Sequence, residues 1–284
     1  MNLLKRIYIL TGSGFTTSQY YRSMNMALKR LNNEYTMLHY PFYGNESDSF
    51  IQGQRNLTDY CMSLLAPVEN KVILEIGCGN GVQAMYIKSK YKPSSITGVD
   101  LNPANIEIAN SEKERISADK DNIIFHVDDA QNLSKITSGS IDVLLNIESA
   151  FHYPDKSAFL KEVCRVLKPG GEYLIADILS TRPERNGIKK IWSKSMVHHF
   201  WNRKKYEDSL LKSDLQIKLS KDITAQIKKG WNMYPKWMPK LQRKMFFQNL
   251  AYRIFYYINV KLNIYFLNNS QEYVVYVGQK PSFR

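Results

Sequence analysis

The stretch "VILEIGCGNGVQAMYI", residues 72–87, constrains this chain more than any other. Val72 to Ile76 is a short β-branched run whose one polar member is Glu75, the composition of a central strand in a parallel sheet. Gly77, Gly79 and Gly81 follow at once, and helical spacing resumes from Val82 to Ser89. Glycines between a buried strand and a helix permit a tight turn and a close approach of backbone to a ligand. They also stand where a helix N-terminus directs its free N–H groups at an anionic group. The pattern describes a cradle for a nucleotide-like molecule in an α/β fold.

The dinucleotide fingerprint spaces its glycines GxGxxG, whereas here the third glycine comes one residue early and Val82 takes its usual place. NAD is therefore disfavoured. A nucleoside is retained, because the next strand, "SITGVD", ends in Asp100, 19 residues after Gly81, at the spacing where a carboxylate accepts ribose hydroxyls. A third strand, "NIIFHV", runs into Asp128, Asp129 and Ala130. Acids or a glycine turn thus reach one sheet edge from three successive strands, and open α/β sheets bind ligands at that carboxyl edge.

Between residues 70 and 180, strands from "KVILEI" to "GEYLIADI" alternate with helices, one from Pro103 and one over "PDKSAFLKEVCRVL". That alternation predicts a right-handed parallel sheet, and "KPGG" at 168–171 reads as a helix stop and a turn. Residues 1–67 hold a tyrosine-rich lead and the helix "FIQGQRNLTDYCMSLL", a candidate lid. Residues 68–180 form the core. Residues 181–284 are mostly helical and include the strands "LQIKL" and "EYVVYVGQ".

With 284 residues, 44% of them hydrophobic, the chain can bury a substantial core. Cys61, Cys78 and Cys164 form no CxxC pair, and His39, His198 and His199 lack partners at metal-ligand spacing, so neither a disulfide framework nor a metal is expected. The apolar run after Lys5-Arg6 is four residues, too short for a secretory segment, and the expectation is a soluble cytoplasmic protein. The charge is uneven: residues 181–262 hold 19 Lys+Arg against 5 Asp+Glu, while the remainder is nearly balanced. Aromatics and lysines interleave within that segment, as a solvated face over an aromatic core or as a face toward anionic lipid, nucleic acid or an acidic substrate.

"LEIGCGNG", Asp100 in "ITGVDLNP", "DDAQNL", "IDVLLNIESAFHY" and "EVCRVLKPGGEYLIAD" together resemble the class I S-adenosylmethionine-dependent methyltransferases, in order and spacing, over about 110 residues. "NIESAFHYPDKSAFLKEVCRVLKPGG" resembles the small-molecule branch, notably macrolide-sugar and phthiotriol dimycocerosate O-methyltransferases. The resemblance implies a Rossmann-like, seven-stranded, mostly parallel sheet with helices on both faces, whose antiparallel last strand "EYVVYVGQ" would supply. A helical lid precedes this core, and a helical insertion follows it. The implied cofactor is S-adenosylmethionine, with S-adenosylhomocysteine as product.

Carried over by residue, Gly77, Cys78, Gly79 and Gly81 resemble the cradle of the methionine moiety, where backbone must pass a carboxylate and a sulfonium. Asp100 and Leu101 resemble the ribose site, Asp129 and Ala130 the adenine site, and Asn146 the wall beside the methionine. Asn102 either orients the cofactor or only caps the helix from Pro103. Glu75 bonds either the cofactor amine or the glycine loop.

Methyl transfer from a sulfonium is an in-line displacement, so the protein aligns the reactants and excludes water. A hydroxyl acceptor also needs a base, and His152, directly after the fourth strand, is the candidate. Asp177 would orient that imidazole or take the proton itself. The bland alternative is that His152 shapes the pocket and Asp177 starts a loop. Tyr20, Tyr21, Glu148, Phe151 and Tyr153 are candidate pocket residues, and the aromatic segment 231–266 would close over them. Their character suggests an apolar acceptor, with an anionic membrane as a peripheral contact. Other readings are N- or C-methylation, ribose methylation of nucleic acid by the basic segment, and a non-catalytic cofactor-binding module. "NIES" lacks the Pro-Pro-aromatic run of enzymes acting on exocyclic base amines.

Overall fold

A computed structural model of the chain describes residues 17–45, 48–116, 120–182, 190, 193, 197–230 and 250–282. The start of the expected lid and the aromatic stretch 231–249 lie outside them. The elements are α1 (Thr17–Asn32), α2 (Phe50–Ser63), β1 (Val72–Ile76), α3 (Val82–Tyr91), β2 (Ser95–Asp100), α4 (Pro103–Ile116), β3 (Ile123–Val127), β4 (Ile141–Ile147), α5 (Lys156–Val166), β5 (Leu167–Ser180), α6 (Arg203–Lys212), β6 (Gln216–Asp222), a short helix α7 (224–230), α8 (Leu250–Ser270) and β7 (Gln271–Gln279).

Seven strands form one sheet in the order β3-β2-β1-β4-β5-β7-β6, and β7 runs antiparallel to both of its neighbours. The order reverses between β1 and β4, which opens a crevice beyond their carboxyl ends. This is the expected Rossmann-like sheet, with "LQIKL" and "EYVVYVGQ" supplying β6 and β7.

Alternation along the strands divides the core. Ile73, Leu145, Leu174 and Val275 meet Leu28, Leu57, Ile87 and Ile106 of α1 to α4 on one face. Leu74, Leu144, Ile175 and Val274 meet Phe159, Val163, Tyr206 and Leu210 of α5 and α6 on the other. Each such aliphatic side chain, fully buried, contributes about 1.5–3 kcal/mol.

The "KPGG" turn is present, but as a bulge within β5. Leu167 pairs with Ile141 and Glu172 with Val143, so the intervening residues are extruded around Gly170 at φ +77°.

Gly81 precedes α3 at φ +76°, and a Cβ there would stand 2.6 Å from Phe125 Cζ and 2.8 Å from Ala109 Cβ. It lets α3 approach β3 and α4. The segment after α1 is fixed differently, by a buried histidine. His39 Nδ1 lies 3.0 Å from the Tyr40 carbonyl and so carries the proton, while Nε2 lies 3.3 Å from the Thr58 hydroxyl. Gln54 of α2 donates to the carbonyls of Met37 and His39. Burial lowers the His39 pKa to about 4, against the opposing effect of the Tyr40 carbonyl.

Two measurements check these packing claims. Gly81→Ala is expected to lower the urea-unfolding free energy by about 2–4 kcal/mol, the left-handed backbone and the overpacked Cβ adding together. For His39, the unfolded imidazole gains a proton near its ordinary pKa while the folded one stays neutral, so stability is lost as pH falls from about 6.5 toward about 4. His39→Gln is expected to make that loss shallower, whereas an unchanged pH profile would show that His39 does not titrate on unfolding.

Candidate functional site

The carboxyl ends of β1, β2, β3 and β4 surround a cavity of about 270 Å³. The turn after β1 forms its floor. Gly77 and Gly79 have φ of +73° and +55°, and a Cβ at Gly77 would run into Ser149, while one at Gly79 would meet Leu38 Cδ1 at 2.9 Å. The N–H groups of Gly77 and Cys78 donate to the Val99 carbonyl at 2.7 and 3.0 Å, which ties the turn to β2.

Asp100 joins this turn to the next one. Its Oδ2 accepts from Gly79 N at 2.9 Å, and its Oδ1 accepts from Asn102 N at 2.8 Å and Asn105 Nδ2 at 3.3 Å. Burial raises the pKa of Asp100, and these donors work against that shift. Asn102 caps α4, its Oδ1 accepting from Ala104 N at 3.2 Å and from Ser18 Oγ at 2.7 Å. Its buried Nδ2 has no partner, so the cap leaves an amide donor available.

Beyond β3, Asp128 accepts from Asp129 N, Ser134 Oγ and Lys135 N, and so serves the loop itself. Asp129 Oδ1 accepts from both Gln131 N and Gln131 Nε2. Ala130 is buried beside them.

The turn after β4 carries the reactive groups. Glu148 has φ +57°, and its Oε2 accepts from Tyr40 N at 2.9 Å and the Tyr273 hydroxyl at 3.2 Å. Burial pushes its pKa well above the ordinary carboxyl range, against the Tyr40 N–H and the Tyr273 hydroxyl that it accepts from. His152 Nδ1 lies 3.2 Å from the Val197 carbonyl, an acceptor only, which leaves the lone pair on Nε2. The Tyr21 hydroxyl, 2.9 Å away, donates to that lone pair. Burial lowers the His152 pKa to about 4, and Lys156 and His199 reinforce the shift.

Asp177 of β5 does not bond the imidazole. Its Oδ1 accepts from Phe151 N at 3.0 Å and Ile178 N at 2.9 Å, so it fixes the backbone of the turn that carries His152. Burial raises its pKa to about 6, with Lys156 opposing. Buried Lys156 donates to the His199 carbonyl and, at 3.4 Å, to the Tyr153 carbonyl.

Of the residues singled out from sequence, Gly77, Cys78, Gly79, Asp100, Leu101, Asn102, Asp129, Ala130, Tyr21, Glu148, His152 and Tyr153 line the cavity. Six stand behind it. Gly81 packs against Ala109 and Phe125, and Tyr20 meets Tyr21 edge to face. Phe151 is buried against His152 and Phe200. Asn146 Nδ2 donates to the Ile76 carbonyl, Ser149 Oγ and the Tyr153 hydroxyl, bracing the wall. Asp177 holds the turn as described. Glu75 is buried, its Oε2 has no partner, and that oxygen forms no bond to the glycine loop. Burial and Asp100 raise its pKa to about 8.

Sequence reasoning missed Met37 and Leu38, which cross the cavity from the N-terminal side, and Ser149, Gln131 and Asn105 at its edges, and it read His39 beside them as a surface or lid residue, where the structure buries it against the cavity. Asn105, three residues beyond Asn102 in the first turn of α4, had a legible helical spacing. Nothing local marks Leu38. Among the described residues, no group of three or more His, Cys, Asp or Glu could hold a metal ion.

The chain has known relatives. The phthiotriol/phenolphthiotriol dimycocerosates methyltransferase of Mycobacterium leprae is 40% identical over 111 residues, 39% of this chain and 39% of that protein. The fatty-acid O-methyltransferase of Mycolicibacterium smegmatis is 39% identical over 112 residues, again 39% of each chain. The matched stretch thus spans about two fifths of those relatives' length. Among solved structures, Haemonchus contortus phosphoethanolamine N-methyltransferase 2 in complex with S-adenosyl-L-methionine superposes with a TM-score of 0.75 at 16% identity, covering 96% of this chain and 59% of that one, a likeness of fold. A family model described as a methyltransferase domain matches residues 67–241, more than half of the chain, and the chain belongs to that family.

Proposed function

We propose that this chain is an S-adenosylmethionine-dependent methyltransferase that methylates a hydroxyl of a small, apolar molecule. The observation that carries the proposal is one cavity with a glycine cradle and Asp100 at one end and a neutral, oriented imidazole at the other. The residues present suit the cofactor. Gly77 and Gly79 hold the left-handed backbone of a turn that lines the cavity, packed too closely on Ser149 and Leu38 for a Cβ, and Asn102 Nδ2, on the same cavity, is a buried polar atom without a partner. When bound, S-adenosylmethionine supplies an electrophilic methyl group on a sulfonium and is left as S-adenosylhomocysteine.

The chain's own residues then divide the work. Gly77, Cys78 and Gly79 present backbone to the methionine end, Asp100, Leu101 and Asn102 serve the ribose, and Asp129 and Ala130 serve the adenine. His152 accepts the proton of the acceptor hydroxyl at Nε2, because the Val197 carbonyl fixes the protonated nitrogen as Nδ1. Its low proton affinity keeps it in the accepting form at neutral pH. The Tyr21 hydroxyl holds that lone pair until an acceptor replaces or relays it. Asp177 and Asn146 act as positioning residues, through the backbone of the turn and through Tyr153.

In this scheme residues 1–67 form the lid, 68–180 the cofactor core, and 181–284 the substrate cap with the last strands. The names of the relatives, which cite dimycocerosates and a fatty acid, support a lipidic acceptor. The site of action is the cytoplasm, with peripheral contact of the basic segment to an anionic membrane.

The test is methyl transfer from labelled S-adenosylmethionine to a panel of hydroxylated fatty acids, polyketides and phenols. With an accepted substrate, His152→Gln is expected to lower kcat by about 10²–10⁴-fold while leaving cofactor affinity within about two-fold. Full activity in His152→Gln would remove the base. The kcat/KM profile of the wild type is expected to stay flat from about pH 6 to 8, since burial lowers the free-enzyme pKa of the base to about 4.

A further inference from the structure

The helix α8, Leu250–Ser270, has an outward face that packing does not explain. Ile254, Tyr257, Ile258 and Tyr265 are 50%, 45%, 45% and 59% exposed. With Lys261 they fall at i, i+3, i+4, i+7 and i+11, a single stripe on a helix. Phe266 and Leu267, nearly opposite, are buried, and Phe266 packs on Tyr20 and Phe200. Tyr20 in turn meets Tyr21, which lines the cavity, so the face of α8 opposite the stripe is the one turned toward the catalytic end of the site.

The sequence around α8 has one sign of charge. From Ile223 to Ser270 there are 8 Lys+Arg and no Asp or Glu. Lys261 lies along the stripe, its Nζ 5.6 Å from the Tyr257 ring centroid, and Lys228 reaches the end of the helix to donate to the Asn268 carbonyl. No helix among the described residues is long and apolar enough to cross a membrane.

We infer that this face of α8 docks on an anionic lipid bilayer, with Ile254 and Ile258 entering the acyl boundary. Tyr257 and Tyr265 sit at headgroup depth, and Lys261 extends to the lipid phosphates. A second copy of the same face would bring like charges together, which disfavours self-association. Nucleic acid has no use for the two isoleucines beside the tyrosines. The inference deepens the proposed function, since docking would place the cavity beside a supply of lipidic acceptor.

The test is co-sedimentation of the full chain with vesicles of phosphatidylcholine alone or mixed with phosphatidylglycerol. Binding is expected to the mixed vesicles, falling at least about ten-fold between about 50 and 500 mM salt. The double variant I254D/I258D is expected to lower binding about ten-fold, with its thermal melt and its calorimetric affinity for S-adenosylmethionine unchanged. Equal partition onto neutral vesicles, no binding to anionic ones, or wild-type binding by the variant would overturn the inference. So would a wild-type dimer that the variant converts to a monomer in sedimentation velocity. Vesicle binding by a protein that fails to bind S-adenosylmethionine would leave the docking face standing and remove the methyltransferase proposal instead.

Discussion

The carboxylate of Asp100 is the constraint on which the site depends. One oxygen holds Gly79 N and the other holds Asn102 N and Asn105 Nδ2, so the turns after β1 and β2 and the first turn of α4 have one shared geometry. From Asn105 the connection continues through buried amides: Asn25 Nδ2 donates to Asn105 Oδ1 at 3.1 Å, and Asn80 Nδ2 to Asn25 Oδ1 at 2.8 Å. Asn80 also donates to the Thr36 carbonyl. Helix α1 and the segment crossing the cavity are therefore registered on the glycine turn by polar groups. Each of these, buried and unpaired, would cost about 1–3 kcal/mol.

A second set of polar contacts fixes the opposite end. Asp177 secures the turn after β4 by its backbone, the Val197 carbonyl selects the imidazole tautomer, and Tyr21 returns α1 to the same histidine. Helix α1 thus touches both ends, through Ser18 on Asn102 and Tyr21 on His152. A helix held at both ends of a cavity is suited to exclude water while the chemistry proceeds.

The sheet was legible because its signals are local. Runs of Val, Ile and Leu alternating with helical spacing specify parallel strands, and Gly77, Gly79 and Asp100 stand at strand ends where the topology brings them together. What sequence could not supply is direction and distance. Gly81 looks like its two neighbours in the text, yet its missing Cβ faces Phe125 and Ala109, so it serves packing. Asp177 reads as the acid that ends the fifth strand and starts a loop, but β5 runs on to Ser180, and Asp177 Oδ1 accepts from backbone N–H groups. Tyr21 and His152 are 131 residues apart, and Tyr40 and Glu148 are 108 apart. Such contacts follow from the fold as a whole and leave no periodic trace.

The most direct measurement of the central claim is calorimetric titration of S-adenosylmethionine and S-adenosylhomocysteine into the wild type, Asp100→Ala and Asp100→Asn, with thermal melts to confirm folding. Micromolar binding by the wild type, weakened by at least about ten-fold in both folded variants, is the result this account predicts. A folded wild type that binds neither ligand, or folded variants that bind as tightly as it does, would contradict it.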